Sequence, residues 1–200
     1  MQQVPAPFAS EVYLVSARFA LDHGHVAEFN VCQTQLLEVL HACSPAVKTE
    51  VHGARLLYLA VTAQHSEHVA AMQQLAAEDL LHHPTIRLVR AATRALTLGL
   101  PARFLATLSA PENPALLRFF AAACRQYVIV STCVALTQGL MKLSVAEAAR
   151  FTGSSEEVLV ATLEACSVAC TGGAVDCKAA NAPLVAARSQ GLRMTPADGG

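Results

Sequence analysis

Reactive side chains in this 200-residue chain are unevenly placed. All eight histidines precede Pro84, with pairs at His23/His25, His65/His68 and His82/His83. His65 and His68 could share one face of a helix, but neither a carboxylate nor a cysteine accompanies them at ligand spacing, which argues against a metal. Cys166, Cys170 and Cys177 come closest to a thiolate cluster. They lack the close cysteine pair of a zinc site and read as small core residues. Thr171-Gly172-Gly173 has no following lysine and opens no helix, so it is not a phosphate-cradling loop. No Gly-x-Ser-x-Gly elbow occurs. The expectation is a non-catalytic protein with no cofactor and no small-molecule substrate.

Charge gives a clearer signal. The net charge of -1 hides a segregation: residues 1–83 carry three Lys/Arg against eight Asp/Glu, residues 84–143 seven against one, and residues 144–200 four against six. Arg87, Arg90 and Arg94 recur at i, i+3 and i+7, which sets three guanidinium groups along one strip of a helix, with Arg103 on the next. Such a strip suits carboxylate or phosphate recognition, so an acidic peptide or RNA is the expected partner.

These side chains need helices to hold them. With 54% hydrophobic and only 14% charged residues, the chain can bury a sizeable core and must leave apolar surface for partners. No run of about eighteen uninterrupted apolar residues suggests a membrane span. Met1 to Pro7 lacks the basic and apolar regions of a secretory signal. Residues 8–23 read as a helix with Val12, Val15 and Phe19 on its packing side, stopped at Gly24. A second helix over residues 26–42 carries Phe29, Cys32, Leu36, Val39 and Leu40 on one face. Gln33 lies at the edge of that stripe, where a buried amide must be paired. Residues 46–64 with 66–81, then 84–99 with 101–109, supply two more helical pairs. Pro84, Gly99 and Pro101 act as boundaries. After a loop at residues 111–114, a long apolar helix runs from 115 to about 138.

The remaining chain changes character. Ser144 to Glu147 and Ser154 to Glu157 read as capping boxes opening two short helices across Gly153. Residues 168–177 read as a hairpin turning at Gly172-Gly173. Two short helices followed by a hairpin make a winged helix. The expected architecture is therefore mainly α, with stacked antiparallel helical hairpins in a solenoid-like array (residues 8–143), a winged-helix cap (144–190) and a disordered tail (191–200). The second helix of the cap carries Glu156, Glu157 and Glu164 and no base, which disfavours phosphate contact. The cap is expected to dock on a partner through the hairpin edge at Val175 to Cys177, with Lys142, Arg150 and Lys178 nearby; nucleic-acid contact, the alternative for these residues, would come from the wing and the preceding arginine helix.

The stretch EFNVCQTQL, Glu28, Phe29, Asn30, Val31, Cys32, Gln33, Thr34, Gln35 and Leu36, resembles the signature of the GANP/SAC branch of the PCI-domain family. So do EVY…ARFALDHG (11–24), RLLYLAVT (55–62), HPTIRLVRAATRALTLGLPARFLATLSAP (83–111) and VDCK (175–178), in family order. The resemblance implies a helical stack capped by a winged helix. It further implies a scaffold subunit of a nuclear complex in mRNA maturation, transcription-coupled processing or export. A second PCI subunit would pack alongside, and a small acidic disordered subunit would lie along the helices. A role in the proteasome lid or a translation initiation factor, or as a stand-alone RNA-binding module, is the alternative. Seven scattered cysteines fit a reducing compartment, nucleus or cytoplasm. Family members commonly carry helices before the position of Phe8, so a partial or reduced form with an exposed inner end is expected.

Overall fold

A computed structural model describes residues 5–190; the tail expected over residues 191–200 lies outside them. The described residues are mainly helical: α1 (Ala6–Asp22), α2 (Val26–Glu38), α3 (Pro45–Val61), α4 (His65–Ala77), α5 (Pro84–Thr97), α6 (Pro101–Ser109), α7 (Ala115–Gly139), α8 (Val145–Thr152), α9 (Glu156–Ala165) and α10 (Cys177–Ser189). Three short strands accompany them, β1 (Lys142–Ser144), β2 (Cys170–Thr171) and β3 (Ala174–Asp176).

Helix boundaries follow local chemistry. Proline stands at the start of α3, α5 and α6, where its missing N–H costs nothing. Gly24 closes α1 in the left-handed conformation at φ 70°, and the His25 N–H reaches back to the Ala20 carbonyl at 2.7 Å. The chain then reverses into α2, and α1 packs on α2, α3 on α4, and α5 on α6. α2 ends at Glu38, short of the expected 42, and a single 3-10 turn, Leu40–Ala42, follows.

The face that α1 buries is not the expected one. Val12, Val15 and Phe19, together with Phe8, are exposed, while Ser10, Ala17, Ala20 and Leu21 are buried. Ala17 and Ala20 let α1 come close to α2 and α7, and this tight packing overrides the bulkier stripe on the other side.

The array is also less one-dimensional than a solenoid. α7 packs against α1, α3 and α6 on one side, and against α8, α9 and α10 on the other. By length and composition it could cross a membrane, at a mean hydropathy of 1.5 over its most apolar window, but half of that window is buried inside the fold. Continuous apolarity here serves two cores. One gathers Phe29, Leu57, Ile86, Phe104 and Phe120 and extends along α7 to Val128; the other begins one residue later at Ile129 and gathers Val134, Leu143, Leu159, Val175 and Leu184. The packing boundary therefore falls inside α7 rather than at the expected 143/144.

Beyond α7 the strands form an antiparallel sheet in the order β1-β3-β2. Lys142 faces Asp176 and Leu143 faces Val175, while Cys170 faces Val175 from the other side. Gly172 and Gly173 both take positive φ, 59° and 73°, as a two-residue hairpin turn requires. Ser144 caps α8, receiving the Glu147 N–H at 3.2 Å while its hydroxyl donates to the Glu147 carboxylate at 2.6 Å. The cap of α9 is Ser155, which accepts from Val158. Ser154 instead shares a hydrogen bond with Thr152, so the second expected capping box is absent. α10 was not legible in its alanine-rich sequence; Asp176 caps it by accepting from the N–H groups of Lys178 and Ala179.

Candidate anion-binding groove

α5 carries the arginine strip, and its two faces differ sharply. Ile86, Val89, Ala92, Thr93 and Ala95 point inward and are buried, whereas Arg87, Arg90 and Arg94 are exposed. Close approach of α5 to α3 depends on Gly53, where a Cβ would stand 3.1 Å from Val89 Cγ2 and 3.4 Å from Leu117 Cδ2. His83 opens the helix, with Nδ1 accepting from the Thr85 N–H at 3.3 Å. His83 thereby caps the helix start.

The four expected arginines come together. Arg87, Arg90 and Arg94 of α5 and Arg103 of α6 line one open concavity of about 1070 Å³. Two residues not assigned to it from sequence, His65 and His68 of α4, line it too, with Met72, Ala91, Leu96, Leu98 and Leu100 among its apolar walls. Among the described residues no carboxylate lines it, and none of the four arginines lies within salt-bridge distance of an acidic group. Apart from the two imidazoles, no aromatic ring among the described residues lines it. His68 is partly buried, and that desolvation, followed by repulsion from His65, holds its pKa below the ordinary value.

Residues of the EFNVCQTQL stretch do structural work. Phe29 is wholly buried and tilts against Tyr58 at 6.2 Å and Phe120 at 5.8 Å, tying α2 to α3 and α7. Leu36 is wholly buried as well. Gln33 is buried and donates to Asn30 Oδ1 at 2.8 Å, which also receives Arg55 Nη1 at 3.4 Å. This partly pairs the amide; Gln33 Oε1 has no hydrogen-bond partner among the described residues. Thr34 donates to the Asn30 carbonyl, Glu28 lies 3.9 Å from His25, and Cys32 and Gln35 are half-buried.

Around the sheet, the expected docking set divides. Lys142, Arg150 and Lys178 are exposed. Val175 is 2% exposed and Cys177 is 0% exposed, and β3 is the central strand, paired on both sides. They cannot form a docking edge; the free edges belong to β1 and β2. Leu140 and Met141, just ahead of β1, are exposed. Cys133, Cys166, Cys170 and Cys177 gather in the second core. Burial raises all four thiols, that of Cys133 to about 12, which makes them poor nucleophiles at neutral pH. Among the described residues no group of three or more His, Cys, Asp or Glu is placed to hold a metal ion.

No family model matches the chain. It is similar to a THP3 homolog of Schizosaccharomyces pombe, at 35% identity over 79 residues. The match takes in 40% of this chain and spans a fifth of that protein's length.

Sequence reasoning missed three features with consequences. One is the histidine pair, whose place in the groove depends on how α4 and α5 each pack on α3. Another is the buried carboxylate of Glu50 on α3, which receives the Leu116 N–H of α7 at 2.6 Å and lies 3.7 Å from Arg18. The third is β1, three residues too short to show a period and paired with a strand more than thirty positions later.

Proposed function

We propose that this chain is a non-catalytic scaffold of PCI type, acting in a nuclear complex of mRNA maturation or export, and that its groove holds an acidic protein segment. The motif resemblance supports the family, and the similarity to a THP3 homolog agrees with it. On this reading α8, α9 and the three-stranded sheet are the winged helix, and a second PCI subunit packs against its free β1 edge, beside exposed Leu140 and Met141.

The observation that carries the groove's role is four arginines on one concavity with no acidic counterpart. Arg87 to Arg94 spans about 10 Å of helix, the reach of roughly three residues of extended chain. An acidic segment lying along it would meet successive guanidinium groups, and its apolar side chains would meet Leu98 and Leu100. RNA is the weaker occupant. Single-stranded bases are held largely by stacking on aromatic rings or guanidinium planes; among the described residues the groove offers two imidazoles but no Phe, Tyr or Trp.

The test is affinity purification of the tagged full chain, paired with the variant Arg90→Glu/Arg94→Glu. A PCI partner, transcript-processing proteins and an acidic subunit should be recovered with the unaltered chain, and the acidic subunit alone lost with the variant. Recovery of lid particles or ribosomal initiation factors would overturn the assignment of complex. Retention of the acidic subunit by the variant would overturn the role of the groove.

A further inference from the structure

We infer that the anion site extends onto α4, where His65 and His68 are ligand-binding groups and His68 takes up a proton as a carboxylate-rich segment enters. The inference rests on the groove reading above and adds residues and a regulating variable to it.

Its basis is placement. The charged and titratable groups facing the concavity are His65 and His68 from α4, Arg87, Arg90 and Arg94 from α5, and Arg103 from α6; α3 contributes only Ala60. Glu67, also on α4, accepts instead from the Ser66 hydroxyl at 2.9 Å and does not line it. Four permanent positive charges therefore share the space with two rings whose charge is optional. In the groove His68 resists protonation, through desolvation and then through His65. A bound carboxylate reverses the balance, because the His68 imidazolium then gains an opposite charge and a charge-assisted hydrogen bond.

Linkage fixes the sign. A group that is neutral in the free protein and protonated in the complex makes binding tighter as pH falls, by up to about tenfold per pH unit for each proton taken up. An arginine-only site holds constant charge over the same range.

The experiment uses the full chain and a fluorescein-labelled ten-glutamate peptide, whose carboxylates stay ionised between pH 6.0 and 8.0. Anisotropy titrations should give a Kd about tenfold lower at pH 6.0 than at pH 7.5, and a flat profile in His65→Gln/His68→Gln. Both positions are at least partly exposed, so the variant should fold. Proton NMR of the unaltered chain gives a readout without substitution: saturating peptide should raise the His68 pKa. An unchanged His68 titration with peptide bound, or an undiminished pH slope in the double variant, would overturn the inference while leaving the arginine groove intact. An oligouridine arm separates the sources of anion. RNA binding with a histidine-dependent slope, in the absence of peptide binding, would keep the histidine site and sink the carboxylate class together with the acidic-segment reading. Binding of neither probe would overturn both.

Discussion

Glu50 is the residue whose replacement should reach furthest through the fold. α7 begins after Pro114 with no side-chain cap of its own and no acidic residue in its first turn. Its first N–H groups, unpaired within the helix, and the positive end of its dipole are met instead from α3, where Glu50 Oε1 accepts from Leu116 and the other oxygen lies near Arg18. The carboxylate side chain is only 11% exposed, so water substitutes poorly for it. A hydrogen bond to a charged group contributes about 1.5 to 3 kcal/mol, and a carboxylate at a partly buried helix N-terminus up to about 2 kcal/mol. These describe overlapping parts of one interaction and are not summed. Glu50→Ala leaves the Leu116 N–H buried and Arg18 without its anion, for an expected loss of about 3 kcal/mol. In a chain of this length that lowers Tm by about 6 to 12 °C. Glu50→Gln keeps an acceptor and removes the charge, and should cost about half as much. Calorimetry measures both, and amide exchange at Leu116 should accelerate in the alanine variant. An alanine variant within about 1 °C of the unaltered chain would refute the cap; equal losses for the two variants would refute its division between hydrogen bond and charge.

Three further substitutions test the packing of the fold. Gly153 sits at φ +69°, and a Cβ there would lie 2.7 Å from Ala102 Cβ and 2.8 Å from Ala102 Cα, whereas Gly99, at φ +68°, has nothing within 4 Å. Gly99→Ala should therefore cost about 1 kcal/mol of backbone strain, and Gly153→Ala at least about 2 kcal/mol, since α6 must also move; equal values by urea denaturation would show that α6 and α8 are not held at this distance. His52 is 4% exposed, with Nε2 3.8 Å from Glu78. Desolvation outweighs Glu78 and lowers its pKa from the ordinary 6.5, with Lys48 adding to the lowering. The unfolded chain then binds the extra proton, so this contribution to stability is fully present above about pH 6.5 and is lost as pH falls. Tm should drop between pH 7.5 and 5.5, less steeply in His52→Gln; an identical slope would exclude His52 as the source.

Which features the sequence revealed follows from the range of the forces behind them. Pro84, Pro101, Gly24 and Gly153 act within one turn of themselves, and the boundaries they mark stand. The spacing of Arg87, Arg90 and Arg94 is also local, and helical geometry alone carries it onto one strip. Burial is different, because it depends on what arrives from elsewhere. α1 has two apolar faces, and the choice of Ala17 and Ala20 over Val12, Val15 and Phe19 is made by how closely α2 and α7 can approach. Val175 alternates like an edge residue in its own hairpin and becomes central only when β1 pairs on the far side. α10 has few strongly apolar residues and contains Pro183. It is fixed largely by α7, with Asn181 donating to Thr137 at 3.1 Å.

The continuity of α7 decides how the two halves of the molecule can be studied. Val128 closes one core and Ile129 opens the other, so no flexible boundary lies between the arginine groove and the sheet. A fragment beginning near residue 140 would remove Ile129, Val130, Cys133 and Val134, which are buried in the second core. It would also strip α10 of the helix that holds it. Four buried side chains on a single face are worth roughly 1.5 to 3 kcal/mol each where they are large, comparable in sum with the whole stability of a small domain. Binding measured on such a fragment would report an unfolded chain, and its basic residues would then attract RNA without any relation to the folded surface. Assignments of partner to groove or sheet therefore have to come from substitutions in the intact chain.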